Sequence, residues 1–193
     1  MSQTSTGTSD FEWVDDPTVV MFCITCVEGV QPAQVLELIG AEADHDGPAD
    51  AMQVDTTAAR QGTTGVRVAS AGQWSVLIEF TSLRGADPDV LAALSTGTRA
   101  VALYRTGSGE GRLIVAEDGA EVTSFEPAIP RFRTGTEPDR YLTAMRVAGF
   151  DPDDDDGAAG EAEALELIRR LFGITVTTTM VFDGRWPAGH LPR

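Results

Sequence analysis

The 193-residue chain contains no lysine and no asparagine, and all 14 of its basic residues are arginines. Without lysine there is no Walker-type phosphate loop, no Schiff-base enzyme and no kinase-like ATP lysine. Without asparagine there is no N-glycosylation acceptor. Both residues have AT-rich codons, so their joint absence reads as the mark of a high-GC bacterial genome. Histidine is nearly as scarce, with only His45 and His190. Neither adjoins a G-x-S-x-G elbow, and H-E-x-x-H is absent, which excludes those hydrolase and zinc-protease signatures. Long hydrophobic runs are missing as well. The longest covers residues 19–27, and a bilayer needs about 20. The opening MSQTSTGTSD has neither a basic nor an apolar region, so no secretory signal is read. Residues 1–12 are expected to form a disordered leader, and residues 13–193 one domain. The expected location is cytoplasmic.

The only two cysteines, Cys23 and Cys26, form a C-x-x-C. A structural zinc needs four ligands, and neither histidine has finger spacing. The pair lies inside an apolar strand pattern, where three residues span about 10 Å. That exceeds the roughly 7 Å that a disulfide tolerates between Cα atoms. Two buried free thiols are expected, with no metal and no cofactor.

Basic charge is the other shortage. Thirty acids against 14 arginines leave a net charge of −16. Such a field repels nucleic-acid phosphates and anionic membranes, so neither is an expected partner. A basic protein is the partner that the charge allows.

What is present reads as an α+β domain. Helices announce themselves by their ends. Pro32 opens and Gly40 closes one, and Asp87 caps another carrying Val90, Leu91 and Leu94. Thr136 is read as the cap of a third that ends at Gly149. In the fourth, Glu161 and Glu163 start and Arg169 and Arg170 finish, as the helix dipole favours. A further helix is possible near residues 49–60. Strands are read in VVMFCITCV, VRVAS, WSVLIEF, RAVALYR, RLIVAED and EVTSFEP. Short links such as TGSGEG and Asp118-Gly119 suit antiparallel hairpins. The sum is a mainly antiparallel sheet of five to six strands with flanking helices. Trp74, Val76, Ile78 and Phe80 are expected to face the helix of Val90, Leu91 and Leu94. The stretch ITVTTTMVF is ambiguous between strand and helical turn.

Other motifs fail as chemistry. The run from Asp151 to Asp156 offers no EF-hand register with acids, glycine and glutamate in place. The GSGEG loop joins two strands and lacks the third glycine of a dinucleotide fingerprint. Glu79 is a candidate to share a sheet face with Glu117 or Glu126, which would allow acid–base chemistry without histidine. No catalytic residues are assigned.

Three stretches together carry a resemblance: CITCVEGVQPAQVLELIGA, then WSVLIEF with PDVLAALSTGTRAVALYR, then AEDGAEVTSFEP. GEAEALELIRRLFGITV and the later FDG extend it. They resemble a family of uncharacterised proteins from high-GC actinobacteria such as Streptomyces, over roughly residues 13–184. The matching residues are core strands and helix caps, so the resemblance implies a fold and no activity. Residues 47–62 match nothing in it.

The resulting expectation is a non-enzymatic protein-binding module, of immunity or antitoxin type, that docks a basic partner. Its candidate contacts are Asp153, Asp154, Asp155 and Asp156, in a stretch (151–166) with eight acids and no base. The alternative is an enzyme or small-ligand binder with a carboxylate-lined pocket. A concave pocket with convergent acids would favour that alternative. A flat acidic face with exposed aromatics would favour the protein binder.

Overall fold

The computed structural model describes residues 9–153 and 159–192. Its centre is β1 (Phe22–Glu28), which pairs antiparallel with β4 (Trp74–Glu79) on one side and β5 (Arg99–Arg105) on the other. Outward from β5 run β6 (Gly111–Glu117) and β7 (Ala120–Phe125). Outward from β4 come β3 (Thr64–Ala71), β8 (Ala188–Leu191) and the two-residue β2 (Glu42–Ala43). The order is β2-β8-β3-β4-β1-β5-β6-β7, eight strands with every neighbour antiparallel.

The expected five to six strands therefore become eight. The two that periodicity missed are β2 and β8. They span two and four residues, too short for alternation to register. The hairpins fall as expected. At Asp118 (φ 49°) and Gly119 (φ 78°) both central residues are left-handed, the conformation that matches the twist of two antiparallel strands.

Helices cover both faces. On one lie α1 (Pro32–Leu38) and α3 (Pro88–Leu94), packed on Val27, Leu77, Ala100 and Ala102. On the other lie α4 (Leu142–Ala148), α5 (Glu161–Phe172) and a 3-10 helical segment, Ser9–Asp15. These cover Phe22, Ile24, Trp74, Val76, Ile78, Val101 and Leu103. Phe11, Trp13 and Val14 of the 3-10 segment are buried, and the Trp13 indole donates to the Val176 carbonyl at 2.9 Å. This segment overlaps the expected leader, whose residues 1–8 lie outside the described residues.

Double coverage corrects the expected packing of β4. Trp74, Val76 and Ile78 do share a face, but Val90, Leu91 and Leu94 pack on the opposite one, against Leu77. Phe80 is only half-buried. Ser75 and Glu79, which alternate with that face, are closed to solvent too. The same geometry separates Glu79 from Glu117. Glu117 is in register with Arg99, which aligns with the Val101 and Leu103 face, and it pairs with Arg140 at 2.8 Å.

The acid-started, arginine-ended helix is α5, as read. The third helix is shorter than expected. It starts after Tyr141, while the Thr136 N–H donates to the Glu121 carbonyl at 3.0 Å along the β7 edge. The helix near residues 49–60 is real: α2 (Ala51–Gln61), capped by Asp50, whose carboxylate accepts the Gln53 N–H at 3.0 Å. It lies over the β3 end of the α5 face. Gly65 permits that approach, since a Cβ there would stand 2.3 Å from Val54 Cγ1.

Candidate functional site

The ambiguous stretch near the C-terminal end decides where the cleft lies. Residues 179–183 form a π-helical turn, closed by the Gly184 N–H on the Thr179 carbonyl at 2.7 Å. Such wide turns are rare and frequently sit at functional sites. Three contacts hold this one. The Met180 N–H donates to Thr177 Oγ1 at 3.1 Å. The Trp186 indole donates to the Met180 carbonyl at 2.8 Å. From beneath, the buried Arg67 on β3 donates to the Val181 carbonyl at 2.5 Å and the Gly184 carbonyl at 3.5 Å. A buried guanidinium requires acceptors, and the turn's carbonyls supply them.

The turn aims Phe182 and Asp183 at α2, and a cleft lies between. One cavity of about 620 Å³ is lined by Asp50, Met52, Asp55 and Thr56 of the α2 side and by Phe182 and Asp183 of the turn. A second, of about 460 Å³, shares Ala51, Asp55 and Phe182 with it. It continues towards Val19, Val20 and Met21, with Phe80 on its wall. Phe80 and Phe182 stack with centroids 5.6 Å apart and planes 7° from parallel. Two large apolar side chains, Met52 (79% exposed) and Val20 (62% exposed), stand open at the cleft.

The three carboxylates differ in commitment. Asp50 caps α2 and lies 3.6 Å from Arg185. Asp55 and Asp183 have no hydrogen-bond or ion-pair partner among the described residues. Asp55 opens to the cleft, yet the surrounding protein pushes its carboxyl pKa up; the Arg67 charge opposes that rise. The same burial draws the Arg67 pKa down, and Asp55 and Asp50 oppose it. No arginine or histidine lines either cavity. The cleft is thus an acidic, aromatic-walled site with two carboxylates that lack a hydrogen-bond or ion-pair partner among the described residues, Asp55 feeling the charge of the buried Arg67.

The other sequence candidates disperse. Asp153 is exposed and pairs with Arg146 at 2.8 Å; Asp154, Asp155 and Asp156 lie outside the described residues. Cys23 and Cys26 are free and buried. Cys26 belongs to the α5-side core, whereas the Cys23 thiol lies 3.5 Å from Thr25 Oγ1 beside Glu79 on the other face. One metal cannot reach both. Among the described residues no group of three or more His, Cys, Asp or Glu side chains is placed to hold a metal ion. GSGEG is a hairpin turn, with Gly109 at φ 90°. Glu126 lines a small separate cavity with Tyr104 and Phe132.

Family comparison adds one fact. A protein-family profile matches residues 4–193, nearly the whole chain. The chain belongs to DUF6461, a family of unknown function. No curated protein and no solved structure matches it. Family membership agrees with a resemblance carried by core strands and caps, and it brings no activity or ligand with it. Among the described residues no helix is long and apolar enough to cross a membrane.

Sequence reasoning missed the cleft because its parts are scattered over residues 18–21, 50–56, 80–81 and 182–183. One signal was available. Arg67 sits between valines in VRVAS, and a charge inside an apolar strand needs buried partners.

Proposed function

We propose that this protein is a cytoplasmic, non-enzymatic binding module that receives a positively charged partner in the cleft between α2 and the π-helical turn. The observation that carries the reading is the pair of unpartnered carboxylates, Asp55 and Asp183, facing one aromatic-walled cavity. Both carboxylates line the same cavity, and an entering cation would give each of them a hydrogen-bonding counter-charge. The net charge of −16 would steer a basic partner towards the protein and act mainly on its association rate. The finer form is an immunity- or antitoxin-like role in a high-GC actinobacterium of Streptomyces type. There, the acidic run at Asp153–Asp156 adds to the long-range steering, which is screened beyond about 8 Å at physiological salt.

The concave, acid-lined geometry also favours a second reading. A small cationic ligand or cationic substrate would occupy the same cleft. Open apolar side chains at Met52 and Val20 weigh towards a macromolecular partner, because large exposed hydrophobics mark interaction sites.

The test is a calorimetric titration of the protein with a hexa-arginine peptide at two ionic strengths, beside the double variant Asp55→Asn, Asp183→Asn. Saturable binding that weakens at least tenfold in the variant is expected. Equal binding by both proteins would remove the cleft from the reading and leave only diffuse surface charge.

A further inference from the structure

The cleft has more shape than a cation alone requires, and its two halves differ in chemistry. Resting on the reading of the cleft as a cation site, the geometry points to a specific occupant: an extended segment of a partner protein carrying Arg-x-apolar, where x is any residue.

The first half selects arginine. Its two free carboxylates come from different elements, Asp55 from α2 and Asp183 from the π-helical turn, with the Phe182 ring in the same wall. A guanidinium is flat, carries five donors and stacks on aromatic faces while hydrogen-bonding in its plane. It can therefore meet two separate carboxylates and one ring together. An ammonium is a compact, strongly hydrated point charge that gains less from the ring.

The second half selects an apolar side chain. Beyond the shared Asp55 and Phe182, the 460 Å³ cavity is walled by Val19, Val20, Met21 and Phe80. No further acid lines it. In an extended chain, residues i and i+2 point the same way, about 6.6 Å apart. An arginine in the first cavity thus directs the side chain two positions away into the second. The exposed side chains of Met52, in the first cavity, and Val20, in the second, add apolar contact for such a segment. A free amine would leave this second half empty.

The experiment uses the unmodified protein and four probes, followed by calorimetry or amide chemical shifts. The probes are Ac-Arg-Ala-Leu-NH2, Ac-Lys-Ala-Leu-NH2, Ac-Arg-Ala-Ser-NH2 and agmatine. The arginine–leucine peptide should bind about tenfold more tightly than the serine peptide, as expected for burying one leucine side chain. It should bind several-fold more tightly than the lysine peptide. Agmatine should bind more weakly than the arginine–leucine peptide. Phe182→Leu should erase most of the arginine-over-lysine preference while leaving the leucine gain. Equal affinities for the leucine and serine peptides, or for arginine and lysine, would overturn the Arg-x-apolar assignment and leave the cation site standing. Agmatine binding as tightly as the tripeptide would do the same and assign the cleft to a small amine. Failure of all four probes would overturn the assignment together with the underlying cation reading. Because the probe series needs no variant, no folding defect can mask the outcome.

Discussion

The Glu79 carboxylate accepts the Gly85 N–H at 2.9 Å inside a site closed to solvent. Its other oxygen accepts the Arg84 N–H at 2.9 Å. The result is a buried anion clasping the 3-10 turn Arg84–Ala86 that feeds α3. Gly85 is required for that contact. A Cβ there would lie 2.3 Å from Thr25 Oγ1 and 2.9 Å from Glu79 Oε2.

Glu79→Ala strands the buried Gly85 N–H, while the Arg84 N–H keeps Ser82 Oγ as an acceptor at 3.0 Å, and a buried unsatisfied group costs about 1–3 kcal/mol. A loss of about 1–3 kcal/mol is expected from urea unfolding, and a smaller one for Glu79→Gln, which keeps one acceptor. Burial pushes the Glu79 pKa up despite its hydrogen-bond donors. The folded protein therefore holds this proton to a higher pH than the unfolded chain does. Stability contributed by the group is full below the unfolded value of about 4.3 and is lost as pH rises through the folded value. Wild type should lose stability relative to Glu79→Gln over that rise; an opposite slope would contradict the assignment.

The thiols should be silent in the native state. Burial raises the Cys26 pKa to about 12. Burial first, and then the Glu79 charge, raises that of Cys23. The thiolate is the reactive form, so a disulfide reagent at pH 8 should titrate neither cysteine in folded protein and both in guanidinium. Rapid native reaction of even one would mean that the central strand opens.

Acid should weaken the contact between the end of β1 and the start of β5. Glu28 accepts Arg99 Nε at 2.8 Å and Nη2 at 3.0 Å, and Arg99 lies over the Trp74 and Phe172 rings. Hydrogen bonding by Arg99 holds the Glu28 pKa below its ordinary value. Stability from the pair is then present above pH of about 4.3 and lost as pH falls through the folded value. Arg99→Met should cost about 1 kcal/mol at pH 7, since the pair is partly exposed. The gap from wild type should close in acid. A gap that stays constant from pH 7 to pH 3 would show that ring packing, not charge, supplies the contribution.

Arg67→Met tests the support of the cleft. It removes the buried donor to the Val181 and Gly184 carbonyls while keeping much of the side-chain volume. A charged hydrogen bond contributes about 1.5–3 kcal/mol, so a loss of about 3 kcal/mol is expected. The π-helical turn should loosen selectively, seen as faster amide exchange at Gly184 than at strand β1. Uniform acceleration across both would indicate global destabilisation only.

The helices and most strands were legible because their signals are local. Asp87 does cap α3, with its carboxylate accepting the Asp89 and Val90 N–H groups. Glu161 and Arg170 bracket α5 as the dipole favours. The misreadings arose where tertiary contacts overrule local pattern. In WSVLIEF, alternation suggested one wet face, but the strand is central and both faces are covered, so Glu79 is buried with its own partners. Thr136 looks like a cap, yet its N–H completes the edge of β7. The cleft was the least legible part. Phe182 enters it only because a π turn rotates the chain there, and that turn depends on Arg67, more than 110 residues earlier.

Strand β8 sits between β2 and β3, which has a consequence for biosynthesis. A ribosome releases β2, α2 and β3 long before residues 188–191, so the place between β2 and β3 stays empty until those residues emerge. Until it is filled, β2 has no strand to pair with, and the β3 edge stays open. Closing so long a loop is entropically slow. The nascent chain therefore passes through a stage with an unpaired strand edge, the kind of surface on which chaperones act and neighbouring chains aggregate. Insertion of β8 ends that stage, and the same step brings Trp186 alongside Ala49, joining the two walls of the cleft.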